Sequence, residues 1–510
     1  MNIKQAKEQI ENTVKAYLNK DSLGNYRIPA VRQRPVLLIG PPGIGKTAIM
    51  EQIARECGIG LVAYTITHHT RQSAVGLPYI NKKNYGGKEY TVTEYTMSEI
   101  IGSVYEYMER SGLKEGILFI DEINCVSETL APTMLQFLQF KTFGSYKVPD
   151  GWIIAAAGNP PEYNRSVREF DIVTLDRVRK LDMEADYAVW LEYAYRKGIH
   201  GAILSYLDIK KDHFYAVEAS AGGKQFATAR GWEDLSELLY AYEELSLPVD
   251  AAVVGGFIQH KKIASDFSDY LELYYKYKKA YRISEILEGH ADEAAAARLM
   301  EAPFDERLSM MGLLLDGLGE DFHNIYDMDF FTEQLFQILK GIKQELLDNK
   351  REPFLLMKEA GETLKEHCRR EKEAGLTDRD KDRTMQKVIS AVEEYGRQLK
   401  ELGIQNGEEA FHKLKQSFDK ENAAREAAGQ YTSQRLTSAF VFLEKVFGSG
   451  TELVIFVTKL NANAYSVHFL NQYGNESYFR YNRELLFDEK EQELKQQIRD
   501  LKKVLEETSE

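Results

Sequence analysis

Cysteine is scarce in this chain of 510 residues: Cys57, Cys125 and Cys368 are scattered, and none lies in a CxxC pair. Such thiols do not build a disulfide framework and give no support for a structural zinc site. Apolar runs long enough to cross a bilayer are lacking as well. The run Leu453–Val457, for example, is soon interrupted by Lys459. We therefore expect no membrane-spanning helix, and the absence of a signal-peptide pattern at the start favours a cytoplasmic protein.

An excess of positive charge is also missing, since 65 Lys and Arg stand against 79 Asp and Glu, a net charge of −14. A surface that acidic repels phosphate backbones, which disfavours a non-specific nucleic-acid coat protein. Hydrophobic residues make up 44% of the chain and charged residues 28%, so buried cores and soluble surfaces can both form. The length predicts two to four domains.

The first part of the chain has the texture of an α/β domain, which we place at residues 1–182. Residues 1–30 are predicted to form an amphipathic helix and a loop, because their apolar residues recur every three or four positions. Beyond them, short apolar runs alternate with helical stretches. Runs of this length that are apolar throughout predict parallel strands buried on both faces: Val36–Ile39, Leu61–Ala63, Ile117–Ile120 and Ile153–Ala157.

Helical patterns dominate the remainder, which we divide into a helical domain at 183–300 and a helical C-terminal region at 301–510. One apolar seam in that region has spacings of three and four: Met385, Val388, Val392, Tyr395, Leu399 and Leu402. Leu494, Ile498, Leu501 and Leu505 repeat the pattern near the C-terminus. Such seams predict a coiled coil or an intramolecular helical hairpin, and the small number of heptads favours the hairpin.

The strongest motif follows the first predicted strand and fits the pattern G-x-x-x-x-G-K-[ST]: Gly40, Pro41, Pro42, Gly43, Ile44, Gly45, Lys46 and Thr47. A helical stretch begins at Ala48, so strand, loop and helix follow in the order that a phosphate-binding loop requires. The glycines let backbone N–H groups surround a phosphate, and the helix directs its positive end at the same anion. Lys46 would neutralise the β- and γ-phosphates, and the Thr47 hydroxyl would bind Mg²⁺.

Polar side chains close two further predicted strands. Asp121 and Glu122 follow Ile117–Ile120, where Asp121 can hold hydrated Mg²⁺ and Glu122 can polarise an attacking water. Asn159 follows Ile153–Ala157 and could reach the γ-phosphate or that water, although for this segment taken alone a turn-forming Asn after Gly158 is the better interpretation. With the phosphate loop, the two acids predict a site that hydrolyses a nucleoside triphosphate.

The ordered motifs resemble those of AAA+ ATPases (ATPases associated with diverse cellular activities), and most closely the MoxR family. The resemblance covers about residues 1–290 and rests on the phosphate loop together with four further segments: Asp121–Asn124, Ala157–Pro160, Leu175–Arg177 and Thr228–Trp232. It implies that Asn159 is the sensor 1 residue, Arg177 the arginine finger offered to a neighbouring subunit, and Arg230 the sensor 2 residue of the lid. Arg179 is an alternative finger. Cys125 stands where the family usually has a basic residue.

The same resemblance implies a P-loop parallel-sheet core, an all-α lid, and a ring, hexameric in the family, with ATP and Mg²⁺ between subunits. It also implies two hairpins, one from Gly76 to Tyr95 and one from Phe143 to Pro149. Activity would be the remodelling or chaperone-like maturation of a protein client, with a von Willebrand factor A-type protein as partner. Two alternatives stay open: a nucleic-acid motor or loader, and an ATP-binding scaffold with little turnover.

Two other segments suggest a function at first, but a structural interpretation fits each of them better. Tyr270–Arg282 mixes aromatic and basic residues, but its tyrosines are spaced four, three and four, which favours a packed helix with a solvated basic face over a base-stacking platform. His68 and His69 suggest a metal site, but no third ligand is near them in sequence.

Overall fold

The structure is a computed structural model that describes residues 1–68, 74, 76–163, 167, 170–220, 223–348 and 351–483. The chain forms two compact units. The first unit comprises Met1–Val189, Thr228–Arg230 and Met357–Glu393, and the second comprises the other described residues. Within these described ranges, no helix is both long and apolar enough to cross a bilayer.

Residues 1–182, which belong to the first unit, form an α/β structure. Its elements are, in chain order, α1 (Ile3–Tyr17), β1 (Val36–Ile39), α2 (Lys46–Cys57), β2 (Gly60–Thr65), β3 (Pro78–Tyr85), β4 (Lys88–Tyr95), α3 (Glu99–Ser111), β5 (Gly116–Asp121), α4 (Ala131–Phe140), β6 (Thr142–Phe143), β7 (Tyr146–Lys147), β8 (Trp152–Gly158), α5 (Ile172–Leu175) and β9 (Arg179–Asp182). Each predicted apolar run falls within a strand, which confirms the α/β fold class.

A five-stranded parallel sheet organises this unit, with the strand order β2-β5-β8-β1-β9. Every residue of β8 is buried, as are the first five of β5, because helices cover both faces of a parallel sheet. Parallel strands end at the same edge, and β8 lies between β1 and β5. The loops after β1, β5 and β8 are therefore neighbours along one edge of the sheet.

Both expected hairpins are present. Strands β3 and β4 pair from Pro78↔Tyr95 to Tyr85↔Lys88, and the turn consists of Gly86 and Gly87. Both glycines have positive φ, 60° and 83°, which a two-residue hairpin turn needs and which glycine adopts without strain. The shorter pair, β6 with β7, forms the second hairpin.

The rest of the chain is mostly helical. Its elements are α6 (Tyr187–Lys197), α7 (Gly201–Ile209), β10 (Ala216–Ser220), β11 (Gly223–Ala227), α8 (Ala229–Glu244), α9 (Ala251–Gly255), α10 (Lys261–Tyr281), α11 (Ile283–Leu287), α12 (Glu293–Glu301), α13 (Phe304–Leu347), α14 (Pro353–Glu373), α15 (Arg379–Glu401), α16 (Gly407–Phe447), α17 (Thr451–Ala462) and α18 (Ala464–Tyr473). The antiparallel pair β10–β11 corrects the expectation of helices alone in the region 183–300. On α10, Tyr274 and Tyr281 are buried while Lys276, Lys278 and Lys279 are exposed, so the packed-helix interpretation is confirmed.

Helices α14 and α15 form the predicted helical hairpin. Ion pairs join the two helices, Lys365 to Glu393 at 2.5 Å and Lys372 to Asp382 at 2.7 Å, so they run antiparallel. The apolar seam of α15 is buried as far as Leu399, but Leu402 lies beyond the helix and is 59% exposed, which corrects its inclusion in the seam. The second seam, at Leu494–Leu505, lies outside the described residues.

Most of this helical hairpin, Met357–Glu393, belongs to the first unit, although sequence alone places it in the C-terminal region. The buried Tyr107 hydroxyl on α3 donates a hydrogen bond to the Ala374 carbonyl at 2.6 Å. The Tyr107 ring meets Trp152, the first residue of β8, edge to face with centroids 5.7 Å apart. The contact joins residues 267 positions apart, a separation that local sequence patterns cannot indicate.

Candidate nucleotide-binding site

The loop after β1 is held in a shape that only its glycines permit. Gly43 and Gly45 have φ of 74° and 91°, in the left-handed region that strains other residues. A Cβ on Gly40 would lie 2.8 Å from Cβ of Met183, closer than two carbon atoms can pack. Helix α2 begins at Lys46, so its first N–H groups and its positive dipole end face the loop. This is a ready-made anion site.

Lys46 is turned inward at the start of α2 and is 8% exposed. Its Nζ donates to the carbonyl oxygens of Gly40 and Pro41, both at 2.8 Å, and to Oδ1 of Asn159 at 2.9 Å. Burial lowers the pKa of Lys46 to about 8; Asp121 and Glu122 oppose that shift, and Arg230 adds to it. A phosphate that takes over these hydrogen bonds would restore the full charge of the ammonium group.

Thr47 and Asp121 form the candidate metal site at the neighbouring strand end. Thr47 Oγ1 donates to Asp121 Oδ2 at 3.1 Å, so both oxygens can face one cation. In the part of the chain that the structure describes, no group of three or more His, Cys, Asp or Glu could hold a metal. One carboxylate and one hydroxyl suit Mg²⁺, which keeps several waters and adds phosphate oxygens. The donor set therefore fits Mg²⁺ bound together with a nucleotide.

Glu122 has an unusual backbone for a residue with a side chain, since its φ is 57°. Its N–H donates to Asp121 Oδ1 at 2.8 Å, and its carbonyl accepts from the Cys125 N–H at 2.9 Å. A left-handed non-glycine residue costs on the order of 1–3 kcal/mol and persists where the surroundings hold it. The two hydrogen bonds of the Glu122 backbone hold this tight turn at the end of the strand.

Asn159 lies where the sheet order places it, between the loops after β1 and β5. Its Oδ1 accepts from Lys46, and its backbone carbonyl accepts from Nδ2 of Asn124 at 2.8 Å. The structure thus brings Asn159 into contact with the phosphate loop, which the turn-forming interpretation does not require. Sequence reasoning assigned no role to Asn124, and the only signal was its place in Asp121–Asn124.

The two candidate finger residues have different surroundings. Arg177 is exposed after α5, and its Nη1 donates to Oε1 of Gln139 at 2.5 Å. Arg179, the first residue of β9, is instead tied to α1 through Thr13 Oγ1 and through Oε1 of Gln9 at 2.8 Å. Neither makes a described hydrogen bond to the phosphate loop of its own chain. Of the two, only Arg179 has a described hydrogen bond to α1.

Other predicted residues surround the phosphate loop. Arg230 lies in the first turn of α8, and its Cβ is 3.6 Å from the place that a Cβ on Gly43 would occupy. Ile44 is buried, Ala48 lies in α2, and Ile3 of α1 approaches Gly45 from the other side. The contact of Ile3 was not predicted. Of the histidine pair, the side chain of His68 and all of His69 lie outside the described residues.

The pKa of Lys46 predicts a pH dependence of ATP binding. The protonated amine attracts phosphate, so affinity should fall as pH rises through about 8, by up to about tenfold per pH unit. A terminal phosphate has its second pKa at about 6, so ATP is already ionised at about pH 8 and adds little change of its own above that pH. The Kd for ATP, measured at intervals of about one pH unit from about pH 7 to about pH 9.5, would reveal the loss of affinity.

A matched control for this titration is Lys141→Met. Burial also lowers the pKa of Lys141 to about 8, but its Nζ donates to Gln33 Oε1 at 3.2 Å instead of facing the phosphate loop. The variant should keep the wild-type pH dependence. An ATP affinity that is constant across this pH range would contradict the proposed contact of Lys46 with phosphate.

Comparison with known proteins agrees with this geometry. Residues 36–175 match the family model described as the ATPase family associated with various cellular activities (AAA). The match begins at the first residue of β1 and ends at Leu175, so it contains the phosphate loop, Asp121, Glu122 and Asn159 but neither Arg177 nor Arg230. No curated protein matches the chain.

Proposed function

We propose that the chain is a ring-forming AAA+ ATPase of MoxR type, because residues 36–175 match the AAA family model. Hydrolysis of ATP would drive the remodelling or chaperone-like maturation of a protein client in the cytoplasm. The observation that carries the proposal is the convergence of Lys46, Asn159 and the Thr47–Asp121 pair at one sheet edge. Residues 1–182 would be the nucleotide-binding domain, 183–300 the lid and 301–510 a helical extension.

In this mechanism the chain binds the triphosphate and orients water. The backbone N–H groups of the phosphate loop and the Lys46 ammonium hold the β- and γ-phosphates, and Asn159 hydrogen-bonds the γ-phosphate or the attacking water. Glu122 accepts the proton of that water as its oxygen attacks phosphorus and the bond to ADP breaks. Mg²⁺, held through Thr47 and Asp121, would neutralise phosphate charge when bound.

Arg177 completes the site in a neighbouring subunit. Its guanidinium would meet the charge that spreads over the γ-phosphate oxygens in the transition state. Two exposed apolar side chains lie close by in sequence, Ile172 at 84% and Val173 at 57% exposed. Apolar residues beside an exposed arginine are typical of a surface that a partner covers. They support an interface at α5, with Arg177 as the finger and Arg179 as a structural residue.

Arg230 links the nucleotide to the lid. It starts α8, lies against the phosphate loop and already affects the pKa of Lys46, so γ-phosphate release would remove a charge that it senses. The client is proposed to be protein rather than nucleic acid because the net charge is −14. By resemblance, a von Willebrand factor A-type protein is the candidate partner and the ring is a hexamer.

The test is ATP hydrolysis per protomer as protein concentration rises. Since the site needs a neighbour, specific activity should climb with concentration and then level off. Ile172→Asp should shift this rise to at least about tenfold higher concentration by placing a charge in the interface, while α5 itself tolerates an acid at its first position. Leu402→Asp, at an apolar position 59% exposed elsewhere, is the control and should match wild type. Constant specific activity in wild type would contradict the ring.

A further inference from the structure

The loop after β5 and the loop after β8 are locked together by a side chain that has no assigned role. Asn124 is 5% exposed and reaches from the turn after Glu122 to the loop after β8. We infer that Asn124, seated against Gly158, is a positioning residue that fixes Asn159 for catalysis. The inference rests on the proposed ATPase function and deepens it.

Two consecutive residues make the connection. The Ile123 N–H donates to the Ala157 carbonyl at 2.9 Å, and Nδ2 of Asn124 donates to the Asn159 carbonyl at 2.8 Å. These bonds join the backbone beside Glu122 to both sides of Gly158. Because the backbone of Asn159 is held in this way, its side chain is directed at Lys46, 2.9 Å from Nζ.

Gly158 makes room for the amide of Asn124. A Cβ on Gly158 would lie 2.4 Å from Oδ1 of Asn124 and 2.7 Å from Cγ, so any side chain at position 158 would displace this amide. The φ of Gly158 is not positive, and alanine could adopt its backbone conformation without strain. The glycine is therefore required by the neighbouring amide, not by the backbone.

Within the part of the chain that the structure describes, the acceptor atom of the Asn124 amide is left without a hydrogen bond, which disfavours the folded state. Oδ1 of Asn124 is buried and has no hydrogen-bond partner among the described residues. A buried acceptor without a partner disfavours folding, so an apolar side chain would serve better if packing were the only requirement. Only the donor atom of the amide, Nδ2, forms a described hydrogen bond to a residue of the proposed site. We therefore assign to Asn124 the role of donating this bond to Asn159.

Loss of this bond should slow hydrolysis without weakening ATP binding. The phosphate loop and Lys46 remain in place, but Asn159 can drift from the γ-phosphate, and a shift of about 1 Å can cost about 100-fold in rate. We expect Asn124→Ala and Gly158→Ala each to lower kcat by about 10- to 100-fold while the ATP Kd stays within about threefold. A residue that only stabilises the fold would change both or neither.

The double variant gives the sharpest test. The three atoms nearest to a Cβ at position 158 all belong to the amide of Asn124, so adding Gly158→Ala to Asn124→Ala should cause little further loss of kcat. Asn124→Asp keeps the shape but replaces the donor with a carboxylate oxygen, and it should be as slow as Asn124→Ala. Thermal unfolding and the Kd for ATP are recorded for each variant. Should the alanine variants fail to fold, the kcat of Asn124→Asp provides the test.

A failure of the proposed ATPase function and a failure of the positioning role of Asn124 give different results. A wild-type protein that hydrolyses no ATP overturns the proposed function and this inference with it. An active wild type with unchanged kcat in Asn124→Asp overturns the positioning role alone. Additive losses in the double variant show that Gly158 and Asn124 act independently, which also overturns it, and so does a loss of ATP affinity that matches the loss of kcat.

Discussion

Replacing Arg177 with alanine should lower ATP hydrolysis per protomer by about 10³–10⁵ at every protein concentration, a loss of about 4–7 kcal/mol of transition-state stabilisation. ATP binding should persist, because Arg177 makes no described hydrogen bond to the phosphate loop of its own chain and is exposed after α5. The measurements are steady-state phosphate release and the Kd for ATP. Arg179→Ala is the matched control, since that side chain is tied to Gln9 and Thr13 and should affect stability more than rate.

Mixing inactive variants tests whether Arg177 acts between subunits. An Arg177→Ala protomer keeps Glu122, and a Glu122→Gln protomer keeps Arg177. At equal amounts in a closed ring, random assembly places the intact pair together at about a quarter of the interfaces, so activity should return. A mixture that stays inactive, with both variants assembled, would contradict a finger supplied in trans. Wild-type turnover in Arg177→Ala would transfer the role to Arg179 or abolish the ring mechanism.

Replacing Glu122 with glutamine should lower kcat by about 10²–10⁴, because the amide cannot accept the proton of the attacking water. The backbone turn should survive, since the hydrogen bond from the residue 122 N–H to Asp121 does not involve the side chain. ATP should therefore bind and remain unhydrolysed. Rapid mixing with labelled ATP, followed by separation of bound ATP from ADP, measures this directly.

Glu128→Gln is the control for the loss of one negative charge near the site. Glu128 is exposed and lies six residues beyond Glu122, so this variant should hydrolyse ATP as wild type does. If Glu122→Gln also retained wild-type phosphate release, the protein would be an ATP-binding scaffold or would use another base. In that event the helical C-terminal region, and not hydrolysis, would carry the function.

Local patterns predicted the secondary structure at the candidate site. The strand before Gly40, the helix from Lys46 and the strand that ends in Asp121 are each determined by a few neighbouring residues, so their order could be deduced without coordinates. The parallel sheet then brings the strand ends together whatever the loops contain. The roles of Lys46, Glu122 and Asn159 stay predictions until the variants are measured.

What the sequence did not indicate depends on distant contacts or weak patterns. The strand pair β10–β11 contains Glu218, Lys224 and Gln225 at exposed or partly exposed positions and has no apolar alternation to mark it. The different surroundings of Arg177 and Arg179 depend on α1, which lies more than 160 residues earlier and in the described structure is hydrogen-bonded by Arg179 alone of the two. The fit of Asn124 against Gly158 is a matter of ångströms that residue spacing does not encode.

The hydrogen bond from Tyr107 to Ala374 also has a consequence for biosynthesis. The acceptor follows the donor by 267 residues, so at about 5–20 residues per second a ribosome needs roughly 13–53 s to deliver it. During that interval the nascent α/β sheet can form, but the hydroxyl on α3 still faces solvent or a chaperone. A gene fragment that stops at residue 300 would keep every residue of the proposed site and leave this surface of the nascent domain permanently uncovered.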